Sequence, residues 1–220
     1  MSAGELEGII SKLKPGETVM IEYESNSSPE VLLFLLYRYS KKNNMRILVD
    51  DIADTFWEYL TRLEIMGFQR EGLDSMDVIK AGGTKTVGNV VGKVELDRYM
   101  LDFKYYGEKY NEWRPKDEVL INPVLGIYRL FIMADPVESM RLVKNISTFV
   151  GNKSRIAFYF INYRAVEDKH PFVIPLMEEI CTTVLKWNKR NCSFELKVIK
   201  ASSAEIEGEY ITLKLDEIQK

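Results

Sequence analysis

Glycine is absent from one long stretch of this sequence: none occurs between Gly16 and Gly67. A loop that wraps phosphates with glycine backbone therefore has no place there. Cysteine and histidine are scarce as well, limited to Cys181, Cys192 and His170. They fall short of the four-ligand set of a structural zinc site. A nucleophile paired with histidine could use only His170, and Asp168-Lys169-His170-Pro171-Phe172 reads as a solvated loop ahead of a helix. The two cysteines read as reduced, semi-buried thiols. No apolar run approaches the ~20 residues that cross a bilayer. Residues 1–16 lack a basic leader followed by an apolar stretch, so a cytoplasmic location is expected. Neither sign of charge dominates: 30 basic and 33 acidic side chains are interspersed, for a net charge of −3. That removes any global drive toward nucleic acid or anionic membrane.

What is present is an ordinary globular composition, 46% hydrophobic and 29% charged over 220 residues. This length suits one domain, spanning residues 1–220, with a full core. Strands and helices alternate, which predicts an α/β fold in three layers, a mostly parallel sheet with helices on both faces. An N-terminal helix presents Leu6, Ile9, Ile10 and Leu13 and ends at Lys14-Pro15-Gly16. "TVMIEY" and "MRILVDD" are buried strands, and a helix with Val31, Leu32, Leu35, Leu36 and Tyr39 on one side lies between them. Asp54 is expected to cap a helix over 55–66 that Gly67 ends. "AGGTKTVG" mixes glycine, lysine and threonine between two short strands, and reads as a hairpin or edge connection because no helix follows it. "DEVLIN" is a strand and "VLGIYRLFIM" a helix; Asp135-Pro136-Val137-Glu138 opens another helix. "RIAFYFINY" is a long strand, 172–187 a helix, and "CSFELKVIKASSAEIEGEYITLKL" a closing antiparallel hairpin.

Three groups of residues invite a functional reading. The turn Glu24-Ser25-Asn26-Ser27-Ser28-Pro29-Glu30 joins the first core strand to a helix. Its plainest reading is a cap, with Ser27 accepting from the Glu30 N–H and Pro29 in the first turn. Its functional reading is a ligand or peptide pocket at a strand end, where open α/β sheets bind ligands. Asp50 and Asp51 end the second strand and point to opposite faces, so one of them at most reaches such a cleft. With Glu24 and Asp54 as neighbours they could hold a metal or act as a base, or be solvated loop acids. Tyr99, Phe103, Tyr106, Tyr110 and Trp113 recur at helical spacing. Core packing with an exposed tyrosine edge explains them first. As a surface, Tyr105, Tyr106, Tyr110 and Trp113 suit a protein interface better than stacked bases, because Asp97, Asp102, Glu108 and Glu112 dilute Lys104, Lys109 and Arg114.

"KPGETVMIE", "EYESNSSPEVLLFLL", "RIAFYFIN" and "FELKVIKASSAEIEGEYITLKL", in that order, resemble the RecA/KaiC-type core of P-loop NTPases, the KaiC-like branch in particular. The chain looks closer still to an uncharacterised family of hyperthermophilic archaeal proteins with a degenerate core of that type. The resemblance implies a phosphate loop of the form G-x-x-x-x-G-K-[ST] after the first strand, and the loop is not there. Glu22, Glu24 and Glu30 surround the turn with negative charge instead. It also implies a metal-binding aspartate near "VLIN", where Asn122 stands. With neither motif intact, the resemblance implies a protein without a cofactor, catalytic residues or a metal, a monomer or dimer that acts through a protein or peptide partner. The alternatives are a ligand-binding or hydrolytic enzyme using Glu24, Asp50 and Asp51, or an atypical nucleotide site. The strand-end cleft would comprise Glu24, Ser25, Asn26, Ser27, Ser28, Asp50, Asp51 and Asn122.

Overall fold

The chain folds, in a computed structural model describing residues 2–97 and 100–219, around one nine-stranded sheet. Its elements run α1 (Ser2–Ser11), β1 (Thr18–Tyr23), α2 (Pro29–Lys42), β2 (Leu48–Ile52), α3 (Thr55–Ile65), β3 (Asp77–Ala81) and β4 (Asn89–Val94). A two-stranded ribbon of β5 (Leu96–Asp97) and β6 (Met100–Leu101) leads to α4 (Phe103–Trp113), β7 (Leu120–Leu125), α5 (Ile127–Met133) and α6 (Pro136–Ser147). Then come β8 (Arg155–Asn162), α7 (Tyr163–Lys169), α8 (Val173–Ile180), β9 (Thr183–Arg190), β10 (Ser193–Lys200), β11 (Tyr210–Lys214) and α9 (Leu215–Ile218). The spatial order is β11-β10-β9-β1-β8-β7-β2-β3-β4. Every pair from β9 to β4 is parallel, and β10 and β11 close the other edge antiparallel.

Alternation along the strands divides the core between the two faces. Val19, Ile21 and Tyr23 of β1 join α1, α2 and α3 on one side. Met20 joins α4 to α8 on the other. Both faces are covered, which is why the parallel strands read as mainly apolar runs broken by a few buried polar residues.

Four local expectations are corrected. Residues 172–187 are not one helix: α8 ends at Ile180 and β9 begins at Thr183. Lys200 Nζ, reaching from β10, collects the carbonyls of Glu178, Glu179 and Cys181 at 2.8, 3.2 and 2.6 Å, and this ends the helix. Cys181 and Cys192 are both free thiols, but Cys192 is exposed where a semi-buried position was expected. His170 is buried rather than solvated, its Nε2 3.0 Å from the Ala134 carbonyl oxygen and its ring beside Phe172. Finally, "AGGTKTVG" does not close a hairpin but is the edge connection, its alternative reading, leading to the outermost strand β4. β3 and β4 are parallel neighbours joined by residues 82–88 alone. So short a parallel crossover works because Gly88, at φ 80°, passes flush against β3: an added Cβ would lie 2.4 Å from Val78 Cγ2.

Candidate functional site

The turn after β1 is built from its own hydrogen bonds. Ser27 N–H donates to the Glu24 carbonyl at 2.9 Å, and Glu24 N–H to Ser27 Oγ at 3.2 Å. Trp187 Nε1, from β9, donates to the Ser27 carbonyl at 2.9 Å. Ser28 takes a left-handed conformation, φ 48°, immediately before Pro29, and its side chain makes no cap bond. The Ser27–Glu30 cap expected from the sequence is therefore absent. Ser27 is turned inward over the strand end, and Glu30 reaches across to Arg62 of α3 at 3.1 Å.

Beside this turn lies a cavity of about 300 Å³ at the carboxyl ends of β1 and β8. Ser25, Asn26 and Ser28 line it from the turn, Glu58, Tyr59 and Arg62 from α3, Tyr128 from α5 and Asn162 from the end of β8. Asn162 Nδ2 donates to Ser25 Oγ at 3.0 Å. Its charges cancel in pairs, Glu30 with Arg62 and Glu58 with Arg129 at 2.5 Å. The hydroxyls of Tyr59 and Tyr23 meet at 3.3 Å, and burial, with the neighbouring phenols, pushes the Tyr23 hydroxyl far above its ordinary range. Glu24 turns away from the cavity. It accepts from Tyr163 Oη at 2.6 Å and from Arg164 Nε at 3.4 Å, and these bonds hold its carboxyl below the usual value.

Asp50 and Asn122 do not reach this cleft. Both are buried inside the sheet, where Asp50 Oδ2 accepts from Tyr106 Oη at 2.7 Å and Asn122 Nδ2 at 3.1 Å. Arg155, wholly buried at the start of β8, donates to Tyr106 Oη at 2.8 Å and to Asn122 Oδ1 at 2.6 Å. Burial lifts the Asp50 carboxyl to about 6, against the pull of Arg155 and its two donors. Asn122 lies mid-strand, opposite Ala157, so the amide serves this network rather than a strand-end metal. Asp51 points to the other face, as alternation requires. It caps α3 through Phe56 N–H at 2.9 Å and pairs with Lys80 at 2.9 Å, taking the role expected of Asp54.

The aromatic segment forms a helix, α4, but not a tyrosine surface. Tyr99 lies outside the described residues. Tyr106 and Tyr110 are buried, the latter bonded to Ser154 Oγ at 2.7 Å, and Trp113 sits beneath the Arg46 guanidinium at 4.6 Å. Tyr105 alone of the four is largely exposed. The helical spacing marked the stripe that packs inward. Glu22, expected among the acids around the turn, is instead buried within β1, where burial first and then Glu178 push its carboxyl up to about 7. A charged residue inside an apolar strand run, as in "TVMIEY", "DVIKA" and "RIAFYF", was the available signal for Glu22, Lys80 and Arg155.

This parallel sheet, clothed by helices and ended by an antiparallel hairpin, has the fold of the RecA-like ATPases. The flagellar accessory protein FlaH from Methanocaldococcus jannaschii shares it at 14% identity and a TM-score of 0.59, over 98% of this chain and 94% of that one. Residues 8–212 match the family described as "Pyrococcus protein of unknown function, DUF257", and the chain belongs to that family. PH0250 from Pyrococcus horikoshii OT3 is 34% identical over 96% of this chain and 98% of that one, with a TM-score of 0.85. PH0321 from Pyrococcus horikoshii, crystallised in complex with an unknown peptide, is 15% identical over 96% and 99%, with a TM-score of 0.62. No curated protein matches the chain. Among the described residues no helix is long and apolar enough to cross a membrane.

Proposed function

We propose that this protein is a RecA/KaiC-like module that acts through contacts with protein or peptide segments and does not turn over nucleotide. The state of the backbone after β1 carries the reading. A phosphate loop leaves its N–H groups open toward the ligand. Here the Ser27 N–H is spent on Glu24, the Glu24 N–H on Ser27, and the Val31 N–H on the Ser28 carbonyl at 3.1 Å. An entering polyphosphate would also find the nearby arginines already taken, Arg62 by Glu30 and Arg129 by Glu58. A pocket of hydroxyls, amides and internally paired charges suits the neutral, hydrogen-bonding surface of a peptide better than a polyanion. That PH0321, with the same fold, was crystallised with a peptide supports this class of ligand.

A second reading, an atypical anionic site, draws on Lys189, whose Nζ stands 3.4 Å from Ser28 Oγ. Calorimetric titration with Mg·ATP separates the two. No heat of binding is expected at millimolar nucleotide; a micromolar Kd would sink the proposal and favour the second reading.

A further inference from the structure

A second cleft, of about 1080 Å³, opens at the carboxyl ends of β2, β3 and β4, at the far edge of the sheet from β1. Lys80, Gly82, Gly83, Thr84, Lys93 and Arg129 are among its lining residues. The loop that forms its floor turns its donors onto a single carboxylate. Thr84 N–H donates to Asp54 Oδ2 and Lys85 N–H to Asp54 Oδ1, both at 2.8 Å. Lys80 Nζ, itself buried, stands 2.6 Å from the same Oδ1.

The loop is shaped for this approach. Gly82 and Gly83 take φ of 65° and 78°, backbone open to glycine, in the turn from which the Thr84 and Lys85 N–H groups converge. A Cβ at Gly83 would lie 2.3 Å from Asp54 Oδ1, so the backbone is bare where an anionic oxygen touches it. The occupant, in contrast, arrives on strained backbone. Ala53 and Asp54 are both left-handed, φ 54° and 65°, a conformation L-residues adopt at a cost. Nor is the Asp54 carboxylate needed to cap α3, since Asp51 already accepts the Phe56 N–H.

We propose that residues 80–85 form an oxyanion-binding nest for the carboxylate or phosphate group of a ligand lying in this cleft, with Asp54 as its resident intramolecular occupant. The nest supplies two backbone amides and one ammonium, and both oxygens of a carboxylate are engaged. Departure of Asp54 frees the Ala53–Asp54 backbone to leave the left-handed region, which offsets part of the bonds it gives up. This site stands on different residues from the pocket beside β1 and does not depend on how that pocket is used.

Asp54→Gly vacates the nest while keeping a residue that tolerates the left-handed backbone. Its thermal melting is compared in chloride, acetate and phosphate at equal ionic strength, with wild type beside it. Phosphate stabilises many folds by exclusion from their surfaces, and the wild type measures that part. The variant is expected to gain several degrees in Tm, saturably, with acetate or phosphate, beyond any gain of the wild type. Adding Lys80→Met should abolish the gain. A response to acetate alone assigns a carboxylate ligand, and one to phosphate alone a phosphate ligand. Equal gains in variant and wild type, or no difference among the three salts, overturn the proposal. If Asp54→Gly does not fold, Asp54→Asn labelled with 15N is titrated with the same anions. Movement of the Thr84 and Lys85 amide signals supports the nest, and stationary signals overturn it.

Discussion

Replacing Arg155 by methionine is expected to cost about 3–5 kcal/mol of folding stability, the range for leaving a buried charge uncompensated. Arg155 is the positive charge in a network that also holds Asp50, Tyr106 and Asn122, all of them buried. Without it, Asp50 loses its counter-charge and Asn122 the donor to its Oδ1. The loss arises from the stranded partner more than from the absent bonds. Accordingly the double variant Arg155→Met, Asp50→Leu should recover most of it, since an apolar pair of similar volume strands no charge. Urea unfolding followed by circular dichroism measures both. A single variant that loses less than about 1 kcal/mol, as an exposed pair would, or a double variant no better than the single, would refute this account. The deficit of Arg155→Met should also deepen at higher pH, where the unaided Asp50 carboxyl resists ionisation.

That network shows where the sequence was legible and where it was not. β1 runs from Thr18 to Tyr23, the bounds its apolar run suggests, because burial on both faces leaves a strand no polar alternation to hide in. The helix opened at Asp135 as expected, and Asp135 and Glu138 close a capping box, a contact between residues three apart. The closing hairpin was legible in the period-two alternation of its two arms. Asp50 and Asn122 misled because their partners are remote: Arg155 stands 33 positions beyond Asn122, and Tyr106 stands 56 beyond Asp50. Read alone, an acid near a strand's end suggests a cleft; only the parallel pairing of β2, β7 and β8 turns it inward. β9 was hidden because the signal ending α8 is Lys200, on another strand. The seven-residue crossover after β3 went against the general length of parallel connections, and depends on what Gly88 touches rather than on the loop's composition. Of the expected cleft, Ser25, Asn26 and Ser28 share a cavity, while Glu24, Ser27, Asp50 and Asn122 face elsewhere.

Stability is expected to fall, by roughly 2–4 kcal/mol, as pH rises from 5 to 8. Two buried carboxyls set the direction. Glu22 is lifted from an ordinary 4.5 to about 7, by burial and then by Glu178 of α8, with Glu167 of α7 adding to the effect and Lys186 of β9 opposing it. Asp50 is lifted from 3.8 to about 6 by burial. Between its unfolded and folded values each group keeps in the native state a proton that the unfolded chain has released. The native state therefore binds more protons across this window, and raising the pH favours unfolding. Full benefit is present below the unfolded values and is gone above about 7. The carboxyls held below their ordinary values, Glu24 and Asp54 among them, act in the opposite sense but at lower pH, outside this interval. Glu22→Gln should flatten the profile by more than half, because Glu22 has the wider displacement and Gln carries no proton to lose. Urea midpoints at pH 5 and 8 for the two proteins decide the matter: a wild type as stable at pH 8 as at pH 5, or a variant with the same slope, would mean that Glu22 finds more water than its position on β1 allows.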